Sequence, residues 1–198
     1  MIHYYTDNKD LASNRSQFEY YFGNELFCFA TDNGVFSKEN VDYGSYILTK
    51  TIYSLNLGKS LLDLGSGYGP IGIILKRFNP EVEIEMAEVN SRAVELSKIN
   101  CLKNKTDIKV HLTDDITTLD HKFDTIVLNP PIRAGKAIMY GLYEKSKQML
   151  NNKGHFYIVI KKAHGAMSSK SKLETLFENV EIINKDSGYL VIDSYNNF

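Results

Sequence analysis

The chain has 198 residues, 43% of them apolar, with 23 Lys and Arg against 24 Asp and Glu. That length suits one domain, or one domain with an appendage, and can bury a sizeable core. The near-neutral balance excludes a general polyanion binder, so any nucleic-acid contact has to come from a local patch. No apolar run approaches membrane-spanning length, no signal-peptide pattern opens the chain, and Cys28 and Cys101 sit far apart without metal spacing; these features point to a cytoplasmic protein with reduced thiols.

Residues 1–57 read as an N-terminal extension of strands and one helix. His3-Tyr4-Tyr5 and Glu25–Ala30 have strand character, and Thr31-Asp32-Asn33-Gly34 before Val35-Phe36 predicts a hairpin turn. Asp42–Ser54 has helical spacing, with Ile47, Leu48, Thr51 and Ile52 on one face. This aromatic-rich region is expected to form a small β layer over a main sheet. Gly34–Ser37 and Asp42–Ser45 are expected to close one side of a ligand pocket.

Residues 58–198 form the expected core, beginning with Leu61–Gly72, LLDLGSGYGPIG. A short apolar run carrying Asp63 ends in Gly65, Gly67 and Gly69, and Pro70 opens a stretch of helical spacing. The glycines suit a turn that needs positive φ and close ligand approach to the backbone. Two parses exist. Gly67–Gly72 satisfies G-x-G-x-x-G, the dinucleotide fingerprint, with Glu88 near the spacing of its ribose acid. Alternatively the turn starts at Gly65 and reads D-L-G-S-G-Y-G. The second is preferred, because Pro70 removes one of the amides that a pyrophosphate would use.

Strands are predicted at 61–64, 82–88, 108–112, 123–128, 155–161, 180–184 and 188–195, with helices at 70–78, 91–103, 137–150 and 169–178. Such alternation implies a parallel sheet covered on both faces. Only three residues join the last two strands, too few for a crossover, so that pair is expected to be antiparallel.

In sheets of this kind ligands sit beyond the carboxyl ends of the strands. The second strand ends at Glu88, able to accept from two ribose hydroxyls, and Asn90 can cap the following helix. The third ends at Thr113-Asp114-Asp115; Asp114 is the favoured acceptor for an adenine amine and Asp115 the cap or solvent-facing residue. The fourth runs into Asn129-Pro130-Pro131. The prolines fix φ and hold Asn129 extended, presenting the Asn129 amide oxygen and the Pro130 carbonyl as two acceptors for a planar exocyclic amine. Methyl transfer to such a nitrogen needs mainly alignment.

D-L-G-S-G-Y-G resembles motif I of the class I S-adenosylmethionine (SAM) methyltransferases. With N-P-P, the chain is similar to the branch that modifies exocyclic amines or amides, and within it to the small-subunit ribosomal RNA guanine-N(2) methyltransferase family. The stretches carrying the resemblance are GVFSKENVDYGS (34–45), LLDLGSGYGPIG (61–72), EVN (88–90), NPPIRAGK (129–136) and KKAHGAMS (161–168). It implies a single Rossmann-like α/β methyltransferase domain over residues 1–198, a seven-stranded, mostly parallel sheet with an antiparallel last strand. It further implies SAM as cofactor and ribosomal RNA or the small subunit as partner. Its cofactor residues map to Asp63, Gly65, Gly67, Gly69, Glu88, Asn90, Asp114 and Asn129, and its catalytic ones to Asn129, Pro130 and Pro131.

Two departures concern the acceptor. Many relatives have an aromatic after the second proline where this chain has Ile132, and better-known relatives carry a second, degenerate domain. Phe36 or a nearby tyrosine is the expected stacking face for an extracted base, and Phe36, Ile132, Arg133, Lys136 and Lys162 are the expected substrate contacts. Lys161, His164, Lys170 and Lys172 are expected on the same rim. His3, His111, His121 and His155 have no metal or triad spacing, so no metal is expected, and a monomer is favoured. The rival readings are another amine or amide acceptor (protein glutamine, DNA adenine), a catalytically silent SAM-binding module docking on RNA, and a nicotinamide-dependent oxidoreductase using the first glycine parse.

Overall fold

A computed structural model gives the structure of residues 12–197; the strand expected at His3-Tyr4-Tyr5 lies outside the described residues. In chain order the elements are β1 (Ser16–Phe22), β2 (Glu25–Thr31), α1 (Tyr43–Ile52), β3 (Ser60–Leu64), α2 (Pro70–Phe78), β4 (Glu83–Glu88), α3 (Ser91–Lys103), β5 (Lys109–Leu112), β6 (Phe123–Leu128), α4 (Lys136–Met149), β7 (Leu150–Lys161), α5 (Ala166–Glu174), β8 (Asn179–Asp186) and β9 (Tyr189–Tyr195). β3–β9 form one seven-stranded sheet in the order β5-β4-β3-β6-β7-β9-β8. β9 runs antiparallel between β7 and β8, and the five strands β3–β7 pair in parallel. The strand order reverses between β3 and β6, leaving a crevice beyond their carboxyl ends.

Strand side chains alternate between faces. Leu62, Leu64, Ile126, Leu128, Phe156 and Ile158 pack under α4 and α5 with Met139, Tyr143 and Leu173. Leu61, Val127, Tyr157 and Val159 pack under α1 and α2 with Ile47, Leu48, Ile71 and Leu75. Both faces of the sheet are therefore dry, as the near-continuous apolar strands require. No helix among the described residues is long and apolar enough to cross a membrane.

The N-terminal extension differs from the sequence reading in two ways. The hairpin lies before β2: Phe22 pairs with Glu25 across a Gly23-Asn24 loop, Gly23 at φ +58°, as short hairpin loops demand. The turn expected at residues 31–34 is instead drawn together around buried Asp32. Its carboxylate accepts from the Asn14 amide at 2.6 Å, the Ser13 hydroxyl at 2.7 Å and the Asn33 amide at 2.7 Å. Those bonds satisfy the charge locally and turn the chain towards α1.

The hairpin also rests on helices, with Phe22, Phe27 and Phe29 in a cluster with Tyr68, Ile73 and Leu96. Two asparagines four residues apart, Asn100 on α3 and Asn104 at its C-cap, hold the outer edge of β2. Asn100 accepts from the Ala30 amide at 2.7 Å and donates to its carbonyl at 3.0 Å. Asn104 does the same for Cys28, at 3.0 and 2.9 Å. The i,i+4 rise along a helix matches the i,i+2 rise along a strand, so the two amides stand in for a neighbouring strand. Asn100 also donates to the Tyr68 carbonyl at 2.9 Å, tying the hairpin to the glycine turn. Asn100→Ala strands these buried groups and is expected to cost about 2–4 kcal/mol, read from urea unfolding with the slope unchanged.

Candidate active site

The crevice is a cleft of about 680 Å³ at the carboxyl ends of β3, β4 and β6. Its floor is the turn after β3. Gly65 (φ +67°) and Gly67 (φ +58°) are in the left-handed region and line the cleft. A Cβ on Gly67 would meet no atom within 4 Å and so would project into open space. Backbone there is bare because a ligand-sized volume lies in front of it.

Glu88, at the end of β4, locks this floor. Its carboxylate accepts from the amides of Gly67 at 2.8 Å, Val89 at 2.8 Å and Asn90 at 2.9 Å. Burial pushes its pKa up, while those three amide bonds pull the other way. A carboxylate offers about four lone-pair sites, so the amides leave less capacity for ribose hydroxyls than two free oxygens would. Asn90 takes no part in the cleft wall: its side chain is buried, caps α3 through the Arg92 and Ala93 amides and donates to the Gly34 carbonyl.

Asp63 and Gly69 also sit behind the floor rather than on it. Asp63 faces the first turn of α2, where its Oδ2 accepts from the Gly72 amide at 2.9 Å. That amide has no intrahelical partner at a helix start, so Asp63 caps α2 from the strand below. A Cβ on Gly72 would come within 3.2 Å of this oxygen, hence the glycine. Burial, reinforced by the Glu88 charge and opposed by the Gly72 bond, pushes the Asp63 carboxyl up to about 7. Gly69 (φ +91°) is the N-cap position of α2 and packs against Met86.

Asn129 leaves β6 half-buried in the cleft wall, followed by Pro130 and Pro131, which also line it. Its amide nitrogen donates to the Asp42 carboxylate at 3.2–3.3 Å and to the Ser45 hydroxyl at 3.0 Å. The Pro131 carbonyl is engaged by the Ala134 amide at 2.9 Å in a short turn. Asp114 lines the cleft at the end of β5, while Asp115 caps the next turn through Thr117 and pairs with Lys145 at 3.3 Å.

Phe36, Ile132 and Arg133 line the mouth, as do Asp42 and Ser45. Lys136 and Lys162 do not line it; they begin α4 and the short turn after β7. Lys161 and His164, expected on the same rim, do face the cleft. Lys170 and Lys172 are ion-paired with Glu174 and Glu144, so they do not join this rim as expected. The sequence reading missed Tyr189, Ile138 and Leu142 as lining residues. Tyr189 enters because β9 inserts between β7 and β8, a pairing with no local signal. His111 and His121 both contact buried Glu85, and His155 meets Asp193 at 3.0 Å, partners far away in sequence.

A reversed parallel sheet closed by an antiparallel β9, with a glycine floor, an acid after β4 and N-P-P after β6, defines the class I methyltransferase fold. The T. thermophilus 16S rRNA N2 methyltransferase RsmC, solved with AdoMet and guanosine, superposes over 94% of this chain and 52% of its own at a TM-score of 0.83 and 24% identity. Residues 27–193 match the model of the methyltransferase small domain, and the chain belongs to that family. It is 40% identical over 193 residues, 96% of each chain, to the uncharacterised protein YbxB of Bacillus subtilis (strain 168). It is 33% identical over 162 residues to the ribosomal RNA small subunit methyltransferase C of Aeromonas hydrophila, covering 80% of this chain and 46% of that one. The chain thus spans about half the length of the ribosomal RNA methyltransferases it matches.

Asp63 makes stability pH-dependent. The unfolded chain releases this proton near 3.8 and the folded one near 7. Between those values the folded state binds more protons, so the contribution is full below about pH 4 and is lost as pH rises to about 7. A carboxyl 13C titration of the folded protein is expected to place the Asp63 midpoint about three units above an ordinary aspartate. In urea unfolding, Asp63→Asn is expected to lose less stability than wild type over that window.

Proposed function

We propose that the protein is a SAM-dependent methyltransferase that modifies the exocyclic amine of a guanine in small-subunit ribosomal RNA. The observation that carries this reading is the Asn129 amide. Its nitrogen is turned to Asp42 and Ser45, which leaves its oxygen for the cleft beside a floor of bare glycine backbone. The family assignment and the names of the relatives support the reaction class; the acceptor is argued from the cleft.

SAM, when bound, supplies an electrophilic methyl group on a sulfonium. Gly65 and Gly67 would give the cofactor close access to backbone, Glu88 would take a ribose hydroxyl in its remaining acceptor capacity, and Asp114 would accept from the adenine amine. The Asn129 amide oxygen and the Pro130 carbonyl would accept the two hydrogens of the target amine and orient its lone pair. No base is needed before attack: the N–C bond would form as the S–CH3 bond breaks, leaving a neutral thioether, and the amine, acidic only once methylated, would then lose its proton to solvent. Alignment of this kind supplies most of the rate. Phe36 offers an exposed ring to an extracted base, and Arg133 and Lys161 offer cations to the flanking phosphates.

Tritium transfer from labelled SAM tests the reading on under-methylated small subunits, stripped ribosomal RNA and protein. Label recovered as N2-methylguanosine is expected; label on glutamine or adenine moves the acceptor, and no SAM binding in calorimetry overturns the class. Asn129→Ala is expected to bind SAM within about twofold of wild type yet lose roughly 100-fold or more in turnover. Glu88→Ala is expected to weaken SAM binding by about 10–100-fold through a lost charge-assisted bond and a loosened floor.

A further inference from the structure

The structure assigns Asp42 as the positioning residue for Asn129: together with Ser45 it consumes the donor end of the Asn129 amide, so that only the oxygen is presented to the substrate. The inference rests on the function proposed above for Asn129, and it adds a second residue to that machinery. A carboxylate can only accept hydrogen bonds. Asp42 therefore tolerates one orientation of the Asn129 amide, the one with nitrogen towards it. The amide has two hydrogens, and the structure has acceptors for both, Asp42 at 3.2–3.3 Å and the Ser45 hydroxyl at 3.0 Å. Without them the amide could rotate and present a donor to the target amine.

The lock is built from rigid parts. Asp42 is also the N-cap of α1, accepting from the Gly44 amide at 3.0 Å and the Ser45 amide at 3.3 Å. α1 is anchored by fully buried Ile47, Leu48 and Ile52, and Asn129 follows β6 in the centre of the sheet. Residue 44, beside this contact, is glycine and leaves little room for a side chain. A Cβ there would lie 3.0 Å from Asp42 Oδ1, 3.2 Å from the Tyr189 ring and 3.5 Å from Asn129 Nδ2. A carboxylate bonded to an amide N–H also polarises the amide, which strengthens its oxygen as an acceptor.

Asp42→Ser separates positioning from capping. Serine caps a helix about as well as aspartate, but its hydroxyl is one bond too short to reach Asn129. The urea midpoint is expected to stay within error of wild type, with SAM affinity within about twofold, while turnover falls about 30–100-fold at unchanged KM for RNA. Asp42→Asn keeps length and an acceptor oxygen, so it is expected to recover all but a few-fold of the loss. A readout that needs no acceptor is hydrogen exchange of the Asn129 side-chain amide by 15N NMR. Those hydrogens are expected to be protected in wild type and to exchange at least about tenfold faster in Asp42→Ser. Wild-type turnover in Asp42→Ser, or unchanged exchange of the Asn129 amide, overturns the assignment. If Asp42→Ser does not fold, exchange in Asp42→Gly, which lacks the acceptor and caps nearly as well, decides: no change there overturns it. If wild type methylates no acceptor, the proposed function fails, and the exchange measurement still decides whether Asp42 orients Asn129.

Discussion

One carboxylate ties the molecule's ligand side together. Glu88 ends β4, and its bonds to the amides of Gly67, Val89 and Asn90 fasten the glycine turn of one strand to the exit of the next. A turn of glycines alone has many backbone conformations open to it. Held at Gly67 from below and closed by the Asp63–Gly72 bond at the start of α2, it has one. The opening of the cleft, its bare floor and the direction of α2 all follow from that restraint. The Glu88 charge adds to the cost of ionising Asp63, and burial is the largest cause for both. Strain of this electrostatic kind collects where a fold reserves space for a ligand.

The opposite wall is organised by side chains rather than backbone. Asn129 stands where β6 gives way to two prolines, and α1 brings Asp42 and Ser45 against it. The N-terminal extension is therefore part of the site and not an ornament on the core: α1 belongs to it, and Phe36 comes from the loop before α1. The rim adds cations from separate elements, Arg133 after β6 and Lys161 at the end of β7. A chain of net charge −1 can in this way keep a local positive edge without attracting polyanions over its whole surface.

Much of the core was legible because its signals are local. The glycine turn, Pro70 at the start of α2 and the antiparallel final pair follow from residue type and spacing, and the helices at 70–78 and 91–103 coincide with α2 and α3. Gly65, Gly67, Glu88, Asp114 and Asn129 do converge on one cleft. Asp63, Gly69 and Asn90 belong to the same motifs but support the floor from behind, a difference of side-chain direction that a motif does not encode. The hairpin was misplaced because Thr31-Asp32-Asn33-Gly34 has turn chemistry, yet Asp32 spends it on Asn14, Ser13 and Asn33. The absence of Lys162 from the wall, and the presence of Tyr189 in it, depend on strand ends and on the insertion of β9. The Asp42–Asn129 contact joins residues 87 apart, beyond the reach of any local pattern.

The asparagine pair at the end of α3 carries a consequence for how the protein behaves in crowded solution. An exposed ribbon of two strands normally invites a foreign strand to add to its border. Asn100 and Asn104 occupy that border on β2 with side chains, so growth from that side is blocked without a third strand being built. The same Asn100 holds the Tyr68 carbonyl, which makes the guard against misassembly and the support of the ligand floor a single fixture. Loosening one loosens the other, and a chain that has lost its ligand site is then also the chain most prone to stick.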